Sequence, residues 1–326
     1  MKFMSNQIFD EAEYLAANPD VAAAVEAGNF RSGHHHYELF GKKKGRMLRR
    51  FFGKLSRNEK VFYLLNKKGL GLEIGASHHP FAPKRKGYNV HILDHLSSAE
   101  LREKYAGHAE YGVNIGNIEE VDFVWNGQPL PELIGRTHCY DWIIASHVIE
   151  HLPDVVSFLQ QCHKLLKSGG ILSLVIPDKR YCFDCFNPPS STGQILDAFE
   201  ERRTRPSSGQ VFDHFANASK RGGHIAWSAG AGGMHELIHT FEQTRSRWQQ
   251  SRSSKDYIDG HWWRFTPSSF RLLISDLITL DLIDMDIKKE FVTTGHEFYV
   301  SLGAKDNNIT EWERLAVLKD MKLEMV

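Results

Sequence analysis

The feature that most constrains this chain is an ordered series of short apolar runs between residues 70 and 178, each ending on small or acidic residues. In the first, Leu72, Glu73 and Ile74 lead into Gly75, Ala76 and Ser77. An apolar run broken by small residues reads as a buried strand turning sharply into a loop. Small residues at such a turn let the backbone approach a ligand closely. Nineteen residues beyond Gly75, a second run ends on Asp94. An acid at the end of the second strand of a doubly wound sheet can accept from both hydroxyls of a ribose. A further strand, from Asp141 to Ser146, runs into His147, Val148, Ile149, Glu150 and His151. A helical stretch from Asp154 to Lys167 follows, then a stop at Gly169 and Gly170, then a strand from Ile171 to Ile176 closed by Pro177 and Asp178. This alternation predicts a parallel sheet with its ligand crevice at the carboxyl ends of the strands.

Taken in order, LEIGAS, ILDH, YDWIIASHVIEHLPD and LLKSGGILSLVIPD resemble the successive motifs of class I S-adenosylmethionine (SAM)-dependent methyltransferases, of the kind found with bacterial glycan-biosynthesis enzymes. The resemblance spans residues 70–178 and returns at FTPSSF and GHEFYVSL; it departs from the family at Ser77, where a second glycine is usual. It implies an α/β fold: a Rossmann-like, doubly wound, mostly parallel seven-stranded sheet with an antiparallel closing hairpin. It also implies SAM as cofactor, with Glu73 under the methionine ammonium and Gly75, Ala76 and Ser77 forming the turn. Asp94 and His95 would stand at the ribose, and Ser146 and His147 along the methionine arm. The loop after the third strand would serve the adenine; Asp122 and Phe123 are assigned there, with Glu119 and Glu120 as rivals.

A hydroxyl of a carbohydrate or glycan intermediate is the expected acceptor. It is too weakly acidic to attack unassisted, so a general base is expected. His151 is the first candidate, because the fourth-strand signature places it at the rim of the crevice, and His224 is the second. The plain alternative for His151 is a helix-start histidine bonded to backbone. In some relatives an acid and a histidine matching Glu150 and His151 lie where a divalent ion binds; for this chain no metal is expected. Other small-molecule acceptors, lipid or natural product, remain open, as does a non-catalytic scaffold. A nicotinamide-dependent enzyme would want a fuller glycine fingerprint than residues 76–80 supply.

Forty basic residues balance forty acidic ones, so no global field points to nucleic acid. No apolar run reaches the length of a membrane span, and MKFMSNQIFD lacks the apolar core of a signal peptide, so a cytoplasmic location is expected. Four cysteines make no disulfide framework in a chain this long, and the Cys182–Cys185 spacing has no second pair to complete a zinc site. The sequence is silent on oligomeric state.

Residues 1–46 read as a small helical module resembling a prefix found ahead of bacterial glycosyltransferases. Asn18 is placed as a helix cap with Pro19 at the first position, and Ser32 as the cap of a helix ended by Gly41. Tyr14, Leu15, Val21, Val25, Phe30, Tyr37 and Phe40 form its expected core, with His34, His35 and His36 on the solvated surface. Residues 47–68 read as a linker helix, and a basic cluster from Lys42 to Lys54 suits peripheral contact with an anionic membrane or glycan. The competing reading of that cluster, a solvated helix face, is favoured because its aromatics have core work available. The SAM-binding core spans 69–180, and an insertion spans 181–262. Residues 263–304 complete the core and 305–326 form a terminal helix. The insertion is the expected acceptor lid. Arg180 and Tyr181 at its start, and Trp262, Trp263 and Arg264 at its end, are the expected acceptor contacts.

Overall fold

A computed structural model describes residues 9, 11–42, 55–107, 112–254, 256–305 and 311–325. Lys43, Lys44, Arg46, Arg49, Arg50 and Lys54, most of the basic cluster, lie outside the described residues. The chain divides into two compact units, Met1–Ser56 and Arg57–Val326.

The first unit holds α1 (Glu11–Ala17), α2 (Pro19–Glu26) and α3 (Gly33–His36), which continues as a wider π-type turn over Tyr37–Gly41. Ser32 caps α3 as expected, accepting from the amide of His35 at 3.0 Å. Asn18 stands before α2, but its side-chain amide donates to the Tyr14 carbonyl at 2.8 Å instead of capping the helix. His36 is buried and not at the surface, its Nδ1 2.8 Å from the hydroxyl of the buried Tyr14. Phe40, expected in the core, is 44% exposed. The π-type turn carries an extra residue, which rotates the side chains after it off the face that the preceding helical turn presents.

The second unit is built on one seven-stranded sheet. Helix α4 (Arg57–Val61) precedes β1 (Gly71–Ile74), β2 (Val90–Asp94), α5 (Ser98–Tyr105), β3 (Phe123–Val124) and α6 (Leu130–Ile134). Then come β4 (Tyr140–Ser146), α7 (Val155–Leu165) and β5 (Leu166–Pro177). The insertion supplies α8 (Thr192–Glu200), α9 (Ser208–Asn217), a small two-stranded sheet of β6 (Ser219–Arg221) and β7 (His235–Leu237), and α10 (Phe241–Ser253). The chain ends with α11 (Pro267–Thr279), β8 (Met285–Thr294), β9 (Glu297–Ala304) and α12 (Glu311–Glu324). The sheet order is β3-β2-β1-β4-β5-β9-β8; the first five strands are parallel and β9 runs antiparallel between β5 and β8. This is the doubly wound sheet with an antiparallel closing hairpin that the sequence predicts.

Alternation along the strands assigns the two faces. Leu72, Ile74, Ile143, Leu172 and Leu174 pack with Val155, Phe158, Leu159 and Cys162 of α7. Val90, Ile92, Trp142, Ile144 and Val175 pack with Val61, Phe62 and Leu65. Two boundaries differ from expectation. The third strand is two residues long, although the apolar stretch around it is longer. Gly169 and Gly170 fall inside β5, beside a register shift between Tyr140 and Trp142. The chain therefore resumes pairing through the glycines, with Gly169 at a φ of +75°. The last helix of the core is capped as expected: Thr266 accepts from the amide of Ser269 at 3.3 Å, and Pro267 opens α11.

Glu73 is spent on the fold. It is 1% exposed, and its two oxygens accept from the amides of Phe81 and Ala82 at 2.7 and 2.9 Å, tying down the loop after β1. Burial pushes its pKa up to about 7, against the pull of those two amides. Glu73→Ala leaves both amides buried and unpaired, at a cost of about 1–3 kcal/mol for each. The expected result is a clear fall in the urea midpoint at unchanged slope; an unchanged midpoint would refute the bracing role.

Candidate functional site

A cavity of about 1230 Å³ opens at the carboxyl ends of β1, β2 and β4. That exceeds the roughly 300–1,000 Å³ of an ordinary small-molecule site and leaves room for two reactants. The strand order explains the place. β1 lies between β2 and β4, so connections leave it toward opposite faces and a crevice remains at the switch point.

The wall at β1 is backbone. Gly75 has a φ of +69°, and a Cβ there would meet Cγ2 of Val148 at 2.8 Å. Ser77 and His147, both on the cavity, also have left-handed backbone, with φ of +45° and +53°. Non-glycine residues rarely adopt that region, and such strain concentrates at ligand sites. The left-handed backbone at Ser77 is the conformation that a glycine, usual there in the resembled family, adopts without strain. At β2, Asp94 is 2% exposed. Its Oδ2 accepts from the Ser77 amide at 3.0 Å, and its Oδ1 from the amide and Nδ1 of His95 at 2.8 and 2.7 Å. A carboxylate has about four acceptor sites, so three are in use. The His95 ring is 55% exposed on its outer side, and its swing would release another.

The opposite wall is the turn after β4. Ile149, Glu150 and His151 form a single 3-10 turn that residues 257–263 brace. The amides of Trp262 and Trp263 donate to the Glu150 carbonyl at 2.8 and 3.2 Å, and the Tyr257 hydroxyl donates to the His151 carbonyl at 2.8 Å. His151 Nδ1 lies 3.0 Å from Asp259 Oδ1. Burial opposes a charge on this ring, but the Asp259 hydrogen bond with the Glu150 and Asp184 carboxylates outweighs it and raises the pKa above the ordinary histidine value. The bond to His151 in turn holds Asp259 down to about 2. Glu150 is wholly buried, and neither carboxylate oxygen has a hydrogen-bond partner among the described residues. Nitrogens of His147, His151 and His261 stand 3.5, 3.9 and 3.8 Å from its Oε1. Glu150, His151 and His261 each place one donor atom within 4.8 Å of the others, a spacing that suits a shared proton, a water or a small cation.

Of the residues singled out from sequence, Gly75, Ser77, Asp94, His95, His147 and His151 meet on this cavity. The others stand elsewhere. Glu73 is behind the loop it braces. Ala76 is buried in the second core cluster. Ser146 Oγ faces Arg57 at 3.3 Å, and Arg57 also pairs with Glu297. Asp122 Oδ2 is taken by Lys84 at 2.6 Å and the Ile92 amide at 2.7 Å, while Phe123 packs edge-on against His91. The residues after β3 that do reach the cavity are Trp125, Asn126, Gly127 and Pro129. Aligning the short strand on Phe123 and Val124, not on the longer apolar stretch, is the signal that would have found them. His224 is exposed at a turn before β7 and does not line the cavity.

The expected acceptor contacts are also displaced. Trp262 and Trp263 are 1% and 2% exposed and sit in the main core. Their indole nitrogens donate to the Tyr257 hydroxyl and the Leu152 carbonyl. Arg264 is buried with its Nε 3.4 Å from Asp184, and Arg180 pairs with Asp178 while stacking on Tyr181. The insertion reaches the cavity through other residues, among them Phe199, Arg202, Arg203, Tyr257 and Asp259. Among the described residues no helix is long and apolar enough to cross a membrane.

A family model for the methyltransferase domain matches residues 44–274, more than half of the chain. No curated protein matches in sequence. Among solved structures, the chain is similar to a protein from Rhodobacter sphaeroides assigned to the zinc-dependent alcohol dehydrogenases (13% identity, 78% of this chain and 92% of that one, TM-score 0.42). It is also similar to the 1,6-didemethyltoxoflavin-N1-methyltransferase of Burkholderia thailandensis, solved with 1,6-didemethyltoxoflavin and S-adenosylhomocysteine (10% identity, 93% and 94% covered, TM-score 0.39). A third is the CcbJ methyltransferase of Streptomyces caelestis (14% identity, 77% and 97% covered, TM-score 0.37). Likenesses this distant carry no argument about what the cavity binds.

Proposed function

The chain belongs to the methyltransferase-domain family, and from that premise we propose that it transfers the methyl group of SAM to a hydroxyl of a sugar or glycan intermediate. The observation that carries the reading is one cavity with Gly75, Ser77 and Asp94 on one wall and the His151–Asp259 pair on the other. SAM, when bound, supplies an electrophilic methyl on a sulfonium. Gly75 fits that cofactor because its missing side chain leaves the backbone open where a Cβ would strike Val148. Asp94 accepts the ribose hydroxyls with the capacity that His95 gives up. Trp125 and Asn126 take the adenine end, in place of Asp122 and Phe123.

Transfer to oxygen is an in-line displacement, so much of the rate comes from holding two reactants in one geometry. Tyr105, Phe199 and Tyr257 give the cavity aromatic surface on which the apolar face of a sugar can stack. His151 takes the acceptor's proton as the new bond forms, and the insertion closes over the acceptor end. The test is mass spectrometry of small molecules released from the purified protein, followed by incubation with labelled SAM and a panel of sugar nucleotides and glycans. SAM or its demethylated product is expected, then label on a sugar oxygen. A nicotinamide nucleotide would overturn the cofactor assignment. Label found only on a lipid or natural product would overturn the sugar while leaving methyl transfer intact.

A further inference from the structure

We propose that Asp259, from the insertion, is the positioning residue of His151: by accepting the Nδ1 hydrogen it leaves Nε2 as the nitrogen that receives the acceptor's proton. The inference rests on reading His151 as the base. A neutral imidazole carries one hydrogen on either nitrogen, and the partner of one nitrogen decides the state of the other. Here the Nδ1 partner is a carboxylate at 3.0 Å, an acceptor with no hydrogen to offer, so Nδ1 must be the donor.

The placement of Asp259 is fixed by its neighbours in sequence. Two residues before it, Tyr257 bonds the carbonyl of His151 itself. Three and four residues after it, Trp262 and Trp263 bond the carbonyl of Glu150. The segment and the turn are therefore in register, which brings the Asp259 side chain to the His151 ring. The Asp259 side chain is 72% exposed, so its position owes little to packing and its replacement should leave the core undisturbed. On the other side of the ring, Nε2 stands 3.9 Å from Oε1 of the buried, unpartnered Glu150. Once Nε2 has taken the proton, the imidazolium lies between two carboxylates, one on each nitrogen. The proton balance is complete within the site: the acceptor oxygen gains the methyl and loses its hydrogen to Nε2, and the imidazolium returns the proton to solvent through the cavity.

The experiment records nitrogen-15 imidazole spectra of the full chain, with a chelator present, and identifies the His151 signal by its loss in His151→Gln. The wild-type ring is expected as the Nδ1–H tautomer. Asp259→Ala should shift its signal toward the Nε2–H form, Asp259→Glu should restore it in part, and SAM affinity by calorimetry should stay within about twofold throughout. Tyr257→Phe removes a hydrogen bond from the same turn and the contact of that hydroxyl with Asp259 while leaving the carboxylate in place, and should shift the tautomer less than Asp259→Ala. An Nε2–H ring in the wild type, no response to Asp259→Ala, or an equal response to Tyr257→Phe would each overturn the positioning role. Failure to bind SAM at all would instead count against the methyltransferase reading, because the tautomer is read without any transfer.

Discussion

Asp94→Ala is expected to weaken SAM binding at least tenfold. The carboxylate is almost fully buried at the end of β2, where it holds the Ser77 amide and faces the cavity. Removing it deletes the hydrogen bonds to a ribose diol, at about 1.5–3 kcal/mol for each charge-assisted bond, and about 1.4 kcal/mol is a factor of ten. It also frees the Ser77 amide, so the strained turn loses the group that holds its left-handed backbone in place. Asp94→Asn keeps one acceptor and should lose less. Calorimetry on folded variants is the check, and unchanged affinity in Asp94→Ala would remove the ribose assignment. Gly75→Val should be worse than either, since its Cβ starts 2.8 Å from Val148 at a φ that a branched side chain resists.

His151→Ala is expected to cut methyl transfer by about 10²–10⁴ while leaving SAM affinity unchanged. The separation follows from the cavity: Asp94 and His151 lie on opposite walls, and donor and acceptor share only the reacting methyl. The wild-type rate should also depend on pH with a definite sign. His151 has a raised pKa, so its proton-accepting form accumulates only at pH above that of an ordinary histidine, and the acid limb should lie above about 6.5. An acid limb at or below that value would mean that another group limits the rate. Trp262→Ala and Trp263→Ala make the contrast. Both rings are core, so truncation should cost about 3–5 kcal/mol of stability and lower cofactor binding and transfer together. Selective loss of transfer there would return these residues to the acceptor site.

The parallel core was legible because each of its elements is specified by local chemistry. Short apolar runs, caps such as Asp154 and Thr266, and glycines at turns act over a few residues, and their order admits few topologies. The residues at the ends of β1, β2 and β4 were legible for the same reason, since a strand's last residue sits at the mouth of the crevice wherever the rest of the chain goes. Asp94 could be named on that ground, whereas His147 and His151, beyond the end of β4, were named through the resemblance of YDWIIASHVIEHLPD to the family's fourth motif. Asp122 and Phe123 could not be placed, because a strand of two residues has too little pattern to fix its end, and a shift of a few positions moves the cavity contact to Trp125 and Asn126.

The insertion shows where local information stops. Trp262, Trp263 and Arg264 have the composition of a sugar site, yet they are buried by contacts with Glu150, Leu152 and Asp184, all distant in the chain. An indole stacks on a sugar or fills a core by the same apolar surface, so its type says nothing about which it does. Asp259 is the converse, an ordinary loop acid whose importance comes wholly from a ring 108 positions earlier in the chain. The sequence alone determined the parallel sheet, the place of its crevice and the first wall of the cavity, because these follow from interactions between near neighbours along the chain. Only the tertiary structure decided which residues of the insertion face that cavity, because that depends on how the segment 257–263 docks on a turn to which no local pattern connects it.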